Sequence, residues 1–529
     1  MRKPGADRVG SDAVPGNPRP RAVVPVRLAE LATLVGAGVP TPDVEVTGIT
    51  HASGEVRPGD LYAALPGARR HGAEFVPAVA AAGAVAVLTD PAGAPAAAAA
   101  GLPAIVVDDP REALGPVAAA VYGDPTAGLV VIGITGTAGK TSTAYLVESG
   151  LRAAGQVTGL IGTVETRLGD FVVESVRTTP EATDLHALLA AARERGVTAV
   201  VMEVSSHALA MGRVGGVHFA VGGYTNFGQD HLDFHADRDD YFAAKAKLFD
   251  GRCRVEILNL DEPALVPLRK PATVTYSAGG DRAATWWADG VADAGYGQAF
   301  VAHGPDGVTV DAGVALPGLH NVANALLALA SLVAVGVDPA TAARGVADCA
   351  GVPGRLEVVT APGPVLGVVD YAHKPDAIVA ALRALRARAT SRGGRLICVI
   401  GAGGDRDRGK RPLMGAAAAQ GADLVLVTED NPRTEDPAAI RAEVLAGATA
   451  PVGESAGATG PAVVEEVTGG RRAAIDEAVR RAGADDVIAV LGKGHERGQE
   501  VAGVTHPFDD RVELAAALRA RFGHLVGQR

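Results

Sequence analysis

Residues 129–142 read LVVIGITGTAGKTS. The run Leu129–Thr135 is apolar and rich in β-branched residues, the pattern of a strand buried on both faces. Gly136 and Gly139 follow, and a helical stretch begins near Lys140. Strand, glycine turn and helix in this order aim the helix N-terminal N–H groups back into the turn. Backbone N–H groups of Gly136, Ala138 and Gly139 then wrap phosphate oxygens, Lys140 brings a point charge for β/γ-phosphates, and Thr141 a hydroxyl for Mg²⁺. Standard P-loop spacing places glycine at 134. Ile134 stands there and Gly133 comes one residue early, so this is a shortened GTxGKT form. The competing reading is an ordinary glycine turn with a solvated lysine; the strand before it favours phosphate.

Outward from this centre the same alternation recurs. On the C-terminal side, TAVVMEV (198–204), FAVGGYTN (219–226) and VEILNL (255–260) read as strands, and NVANALLALASLVAVG (321–336) as a helix. VLGVVDY (365–371), RLICVIG (395–401), DLVLVTED (423–430) and DVIAVLG (486–492) read as another set of strands. On the N-terminal side VAVLTD (85–90) and AIVVDD (104–109) do the same. This predicts α/β architecture with a parallel sheet three times over. Turn chemistry at Gly123-Asp124-Pro125 and at the VPGR turn (352–355) marks boundaries. The expected division is a disordered Pro/Gly/Arg-rich tail over 1–22, then domains over 23–124, 125–350 and 351–529. APVGESAGATGPAVVEEV (450–467) reads as a flexible surface insertion.

Composition agrees. At about 150 residues per domain, 529 residues make three or four domains. Gly 68 and Pro 33 are high but short of a low-complexity chain. The net charge of −11 argues against nucleic acid or an acidic membrane as partner. Cys253, Cys349 and Cys398 form no CxxC pair, which fits a reducing cytosol rather than a zinc ribbon or disulfide framework. The N-terminus lacks the apolar region of a signal peptide. PAGAPAAAAAG (91–101) is too short and broken to span a bilayer. A soluble cytoplasmic protein, with no membrane insertion, is expected.

Four further motifs sit at predicted strand ends, where α/β folds bind ligands. Glu203 of MEVSSHAL ends one strand, and Asp230, His231, Asp233 and His235 crowd into TNFGQDHLDFH (225–235); such a set suits a hard cation, or is an ordinary polar loop. GAGGDRDRGKRP (401–412) is basic, and a solvated loop is its simplest reading. TEDNPR (428–433) offers a carboxylate, an amide and a guanidinium to a zwitterionic ligand, or an Asn-Pro turn. LGKGHERGQE (491–500) offers glycines for close approach and Glu496 for an ammonium.

Together GTAGKTS, EVSSHAL, TNFGQDHLDFH, LPGLHNVANAL, VPGRLE, VDYAHKPDA, GGDRDRGKRP, DNPR and GKGHE, in this order from about residue 27 to 520, resemble the Mur ligase family, and within it the diaminopimelate-adding members. The resemblance implies a UDP-binding N-terminal domain, a central P-loop ATPase domain and a C-terminal Rossmann-like domain. It implies ATP and Mg²⁺, with UDP-MurNAc-L-Ala-D-Glu and meso-diaminopimelate as substrates, and a monomer. Gly136, Thr137, Ala138, Gly139, Lys140, Thr141 and Ser142 would hold ATP phosphates, and Asn321, Asn324, Arg355 and Asp370 the rest of the nucleotide. Thr141, Glu203 and His231 would serve Mg²⁺ with Lys245, a position the family carries as a carbamate. Lys140, Glu203, His231 and Lys245 form the implied catalytic set. Ser53, Thr178, Thr179, Ser205 and Arg213 match the muramoyl-dipeptide site; Arg406, Asp430, Asn431, Pro432, Arg433, Gly492 and Glu496 match the diaminopimelate site. Arg433 is the specificity mark, because meso-diaminopimelate has a second carboxylate that lysine lacks.

Two departures stand out. His51-Ala52-Ser53-Gly54-Glu55 replaces a segment that often reads DSR, and Lys374 of VDYAHKPDA stands where threonine is common. The implied activity is an amide ligase that works through an acyl phosphate. Lysine addition, a folylpolyglutamate synthase-like activity and a non-catalytic ATP-binding scaffold are the alternatives.

Overall fold

The computed structural model describes residues 18–450 and 462–523. They divide into two compact units. One holds the chain up to Leu129, Pro180–Gly196 and Met211–Val217; the other holds Val130–Thr179, Val197–Ala210 and the chain from His218 onward.

In the first unit four parallel strands lie in chain order: Gly48–Thr50, Asp60–Ala64, Ala86–Thr89 and Ala104–Val106. The helix Ala182–Glu194, far along the chain, gives Ala182, Ala187 and Ala190 to the core built by Leu28, Leu61, Leu88, Leu114 and Val117. Residues 18–22 fall in the expected disordered tail, yet they are tied down. Arg19 pairs with Asp60 at 2.8 Å, and the N–H groups of Arg21 and Ala22 donate to Glu194. Residues 1–17 of that tail lie outside the described chain.

The second unit contains an eleven-stranded and a six-stranded sheet. In the larger, the strand Val130–Thr135 lies between Ala199–Glu203 and Phe219–Tyr224, parallel to both. The chain next forms Thr158–Ile161, on the far side of Ala199–Glu203, so strand order reverses at Val130–Thr135. Such a switch point opens a crevice at the carboxyl ends of the strands. The expected helix over 321–336 is Leu319–Ala334. Its Leu326, Leu327, Leu329 and Leu332 are fully buried, each stabilising the core by about 1.5–3 kcal/mol. The sheet also extends through antiparallel strands that sequence alternation does not reveal: Glu165–Leu168 and Phe171–Glu174 at one edge, and Trp286–Ala294, Gly297–His303 and Thr309–Val314 at the other.

In the six-stranded sheet, Leu366–Asp370, Val487–Leu491, Leu396–Ile400, Leu424–Val427 and Val463–Glu466 run parallel in that spatial order. Val463–Glu466 corrects the reading of 450–467 as a flexible insertion. Val463 and Val464 align with Leu424 and Val425, and backbone pairing with a buried strand fixes the segment. Residues 451–461 lie outside the described chain. Among the described residues no helix is long and apolar enough to cross a membrane, and all three cysteines are buried free thiols.

Candidate active site

The turn after Val130–Thr135 begins with Gly136 at φ 138°. A Cβ there would meet Thr225 Oγ1 at 1.8 Å, so only glycine fits. Gly139, at φ 84°, caps the helix Lys140–Ala153. The turn is braced from the neighbouring strand end. Ala138 N donates to Asn226 Oδ1 at 2.9 Å, Thr225 Oγ1 donates to Ala138 O at 2.6 Å, and Thr137 Oγ1 lies 3.1 Å from Tyr241 Oη.

Lys140 Nζ donates to the carbonyls of Gly136 at 2.8 Å and Thr137 at 3.2 Å. Burial, then the neighbouring Lys374, pushes its pKa down to about 8. Lys245 is buried, donates to the same Gly136 carbonyl at 2.9 Å and lies over the Tyr241 ring. Burial, then Lys140 and Lys374, holds its amine well below the usual lysine range.

Glu203 is buried at the end of its strand. Its carboxylate accepts from Thr141 Oγ1 at 3.0 Å, Thr163 N at 2.8 Å and Thr163 Oγ1 at 3.1 Å. Arg355 Nη2 donates to Thr141 Oγ1 at 3.1 Å, and its guanidinium lies over Tyr371 at 4.5 Å. Arg355 Nε is buried without a protein partner among the described residues. These groups, Ser142 and His231 line one cavity of about 240 Å³. Asn321 and Asn324 lie on its wall, linked by an Nδ2–Oδ1 hydrogen bond of 3.1 Å. Asp370 is there too, but both its oxygens are engaged: Leu356 N and Ala372 N each donate to it at 2.7 Å. It shapes the turn that carries Arg355.

The acidic and histidine-rich loop divides instead of gathering as expected. Among the described residues no three His, Cys, Asp or Glu side chains stand close enough to hold a metal ion. His231 adopts φ 54°, and the turn beyond it sends the side chains apart. His235 faces Ser206 Oγ and Asp240, each at 3.1 Å, and Asp233 is exposed. Asp230 pairs with His231 at 3.0 Å and with Lys374. Burial opposes the charge on Asp230, but Lys374 and His231 outweigh it and hold the carboxyl well below its usual range.

Beside Glu203, Thr179 Oγ1 donates to the Glu203 carbonyl at 2.9 Å and accepts from Ser205 N at 3.1 Å, and Thr178 Oγ1 meets Thr163 Oγ1 at 3.0 Å. Ser53 and Arg213 belong to the other unit. Ser53 opens a short 3₁₀ turn, and Arg213 pairs with Glu181 at 2.8 Å.

A second cavity, of about 490 Å³, is walled by Asn431, Arg433, His495, Glu496 and Arg511, with Glu165, Val172 and Val173 from the edge hairpin. Asn431 Nδ2 donates to Glu496 at 2.8 Å. Arg433, at φ 52°, donates from Nη1 to Gly404 O at 2.6 Å, and its Nε lies 3.3 Å from Glu500. Gly404 meets the Pro432 carbonyl so closely that a Cβ would fall 1.9 Å from it. Asp430 is buried, and burial raises its pKa. A Cβ on Gly492 would fall 2.4 Å from its Oδ2. Arg406 is exposed and off this wall, across Gly403 from Arg433.

Two residues outside the expected set contact residues of these two sites. Lys493 is fully buried and donates to Asn431 Oδ1 at 3.0 Å, Glu496 at 3.1 Å and Gly498 O at 2.6 Å. Lys374 reaches the phosphate-type turn of the larger sheet.

Comparison with known proteins gives consistent matches. Residues 45–122 match the model of the Mur ligase family catalytic domain, 134–332 that of the Mur ligase middle domain, and 354–494 that of the Mur ligase glutamate ligase domain. The UDP-N-acetylmuramoyl-L-alanyl-D-glutamate–2,6-diaminopimelate ligase of Streptomyces coelicolor is 53% identical, covering 96% of this chain and 99% of that protein. The enzyme of the same name from Corynebacterium efficiens is 47% identical, covering 93% and 95%. A solved structure of a ligase of that name superposes with TM-score 0.64 at 30% identity, covering 94% of this chain and 99% of that one. The MurF ligase of Thermotoga maritima in complex with ADP shares the fold, with TM-score 0.59 at 16% identity, covering 91% and 99%.

Proposed function

Because the chain belongs to the Mur ligase family, we propose that it joins meso-diaminopimelate to the D-Glu γ-carboxylate of UDP-MurNAc-L-Ala-D-Glu at the expense of ATP. It is an ATP-dependent ligase, a UDP-MurNAc-tripeptide synthetase of peptidoglycan synthesis. The observation that carries this reading in the geometry is the single cavity shared by Lys140, Thr141, Glu203 and Arg355 at a topological switch point. We assign 23–124 to the UDP-muramoyl end, 125–350 to ATP and 351–529 to the amino acid. The protein works as a cytoplasmic monomer.

A carboxylate is a poor electrophile, and its oxygen a poor leaving group. Phosphorylation of the γ-carboxylate gives an acyl phosphate, which the amine of diaminopimelate attacks before phosphate leaves. The turn Gly136–Gly139 and Lys140 orient and neutralise the phosphates. Arg355 supplies a further guanidinium, and its free Nε suits an anion. Thr178, Thr179 and Ser205 position the dipeptide beside Glu203, and Ser53 and Arg213 are assigned to the same substrate. Arg406, Asp430, Asn431, Pro432, Arg433, Gly492 and Glu496 receive diaminopimelate, with Lys493 holding Asn431 and Glu496 in place.

The donor chemistry fits Mg²⁺. Thr141 and Glu203 offer adjacent oxygens, and His231 shares their cavity. Lys245 fits only as a carbamate, since an ammonium ligates no cation. Its depressed pKa favours the neutral amine that reacts with CO₂. When bound, the metal supplies charge neutralisation for the phosphates. His373 Nδ1 donates to the Tyr371 carbonyl at 2.7 Å and leaves Nε2 as the proton acceptor, but burial holds its pKa well below normal, which opposes a role as the base that deprotonates the amine.

The test is phosphate release from ATP with UDP-MurNAc-L-Ala-D-Glu and meso-diaminopimelate, L-lysine or no amino acid. Release with meso-diaminopimelate alone, abolished in Lys140→Ala, is expected. Equal release with L-lysine would overturn the amino-acid assignment, and near-normal turnover in Lys140→Ala the ATP-site assignment.

A further inference from the structure

The loop after Leu366–Asp370 sends one more cation toward the phosphate-type turn. Lys374 precedes the eighteen-residue helix Pro375–Arg392, so it is carried by the six-stranded sheet, while the turn belongs to the eleven-stranded one. Its side chain is only 14% exposed and pairs with Asp230. Its Nζ lies 3.5 Å from the Thr137 carbonyl, the same oxygen that Lys140 approaches at 3.2 Å. Lys374 lines the cavity that holds Lys140, Thr141, Glu203 and His231, and also the adjoining one bounded by Thr137, Ala138, Gly139 and Asn324.

We propose that Lys374 is a further catalytic residue, the second ammonium that contacts the phosphoryl group while it is transferred. The charge balance supports this. Lys140 and Lys374 converge on the Thr137 carbonyl, Arg355 reaches Thr141 beside it, and the facing carboxylates are Asp230 and Glu203. Cations drawn from separate elements onto one glycine turn suit a polyanion and are costly to gather without one. In the transfer, a γ-carboxylate oxygen uses a lone pair to attack the γ-phosphorus. The bond from phosphorus to the bridging oxygen breaks, and ADP departs with that electron pair. Lys374 donates N–H hydrogen bonds to the oxygens on which charge grows and loses no proton. A cation delivered to a phosphoryl group from a separate element is a recurring device in phosphoryl transfer.

The inference rests on the ATP reading above. Affinities for ADP and for the β,γ-imido analogue of ATP, measured calorimetrically, separate the two. In Lys374→Met and Lys374→Thr the analogue is expected to lose about tenfold or more in affinity while ADP stays within about twofold, and kcat to fall about 10²–10³-fold. Lys374→Arg is expected to recover part of the loss. Lys374→Thr, a shorter side chain that keeps a polar group beside Asp230, is the variant of choice if Lys374→Met misfolds. If Lys374 only latches the loop to Asp230, then Asp230→Asn and Lys374→Met weaken both nucleotides equally, and that result overturns the proposal. If the unaltered protein binds neither nucleotide, the ATP reading itself fails.

Discussion

Arg433 shows what a single residue decides. Its guanidinium is anchored by Gly404 O and Glu500, and the left-handed backbone at Arg433 aims it along the wall shared with Glu496. In the proposed diaminopimelate site, a planar fork would pair with the distal carboxylate in a way a point charge does not. Arg433→Ala is expected to raise the KM for meso-diaminopimelate about 10²-fold and to leave the KM for ATP within about twofold. Arg433→Lys should not restore it. Steady-state kinetics with each substrate varied checks this, and an unchanged diaminopimelate KM removes Arg433 from the site. DNPR singles out Arg433 in the sequence, whereas nothing in GKGHE singles out Lys493. A lysine between glycines reads as solvated. Only the fold brings Asn431 across to Lys493 Nζ and leaves that ammonium fully buried. Asp230, His231, Asp233 and His235 show the converse: adjacency in sequence suggested one cation site, and a left-handed turn at His231 separates them.

Among elements, the loops that follow Leu396–Ile400 and Leu424–Val427 are held together by Glu435. Its carboxylate accepts from Asp405 N at 2.6 Å, from Arg408 at 2.6 Å and from the fully buried Arg411 at 2.8 Å. The Arg411 hydrogen bond first, then that of Asp405 N, lowers its pKa to about 2. The folded pKa lies below the unfolded value of 4.5, so the contribution is complete above about pH 4.5 and is lost as pH falls toward 2. Hydrogen exchange over residues 404–411, corrected for intrinsic rates, is expected to accelerate across that window. Glu435→Gln should already exchange faster at neutral pH and show no step. A wild-type profile flat from pH 5 to 2 would count against this bracing. Strands that alternate with helices were readable from their apolar runs. Val463–Glu466 was hidden because its acidic, half-exposed edge lacks such a run, and the antiparallel strands at 286–314 because hairpins within a parallel pattern follow no helix.

In the whole molecule, a chain of net charge −11 is proposed to hold acidic and zwitterionic ligands, and two of the cations assigned to them, Lys140 and Arg433, stand just beyond the strands Val130–Thr135 and Leu424–Val427. The second unit has one continuous apolar cluster that runs from Ile132 and Val201 of the larger sheet to Val368, Val425 and Val487 of the smaller. Across its surface, Arg355 joins the sheets again: it precedes the first parallel strand of the smaller sheet, lies over Tyr371 and donates to Thr141 in the larger. A ligand held by Thr141 and Arg355 therefore stabilises both sheets together. At 100 times its Kd such a ligand contributes about 2.7 kcal/mol. With the β,γ-imido analogue at that excess, hydrogen exchange is expected to slow in Val130–Thr135 and also in Leu366–Asp370 and Val487–Leu491, which lie away from the phosphate turn. In Arg355→Ala the protection should persist in Val130–Thr135 and fade in the other two strands. Equal protection of all three in the variant would show that the apolar cluster alone carries the coupling and that the Arg355–Thr141 contact carries none.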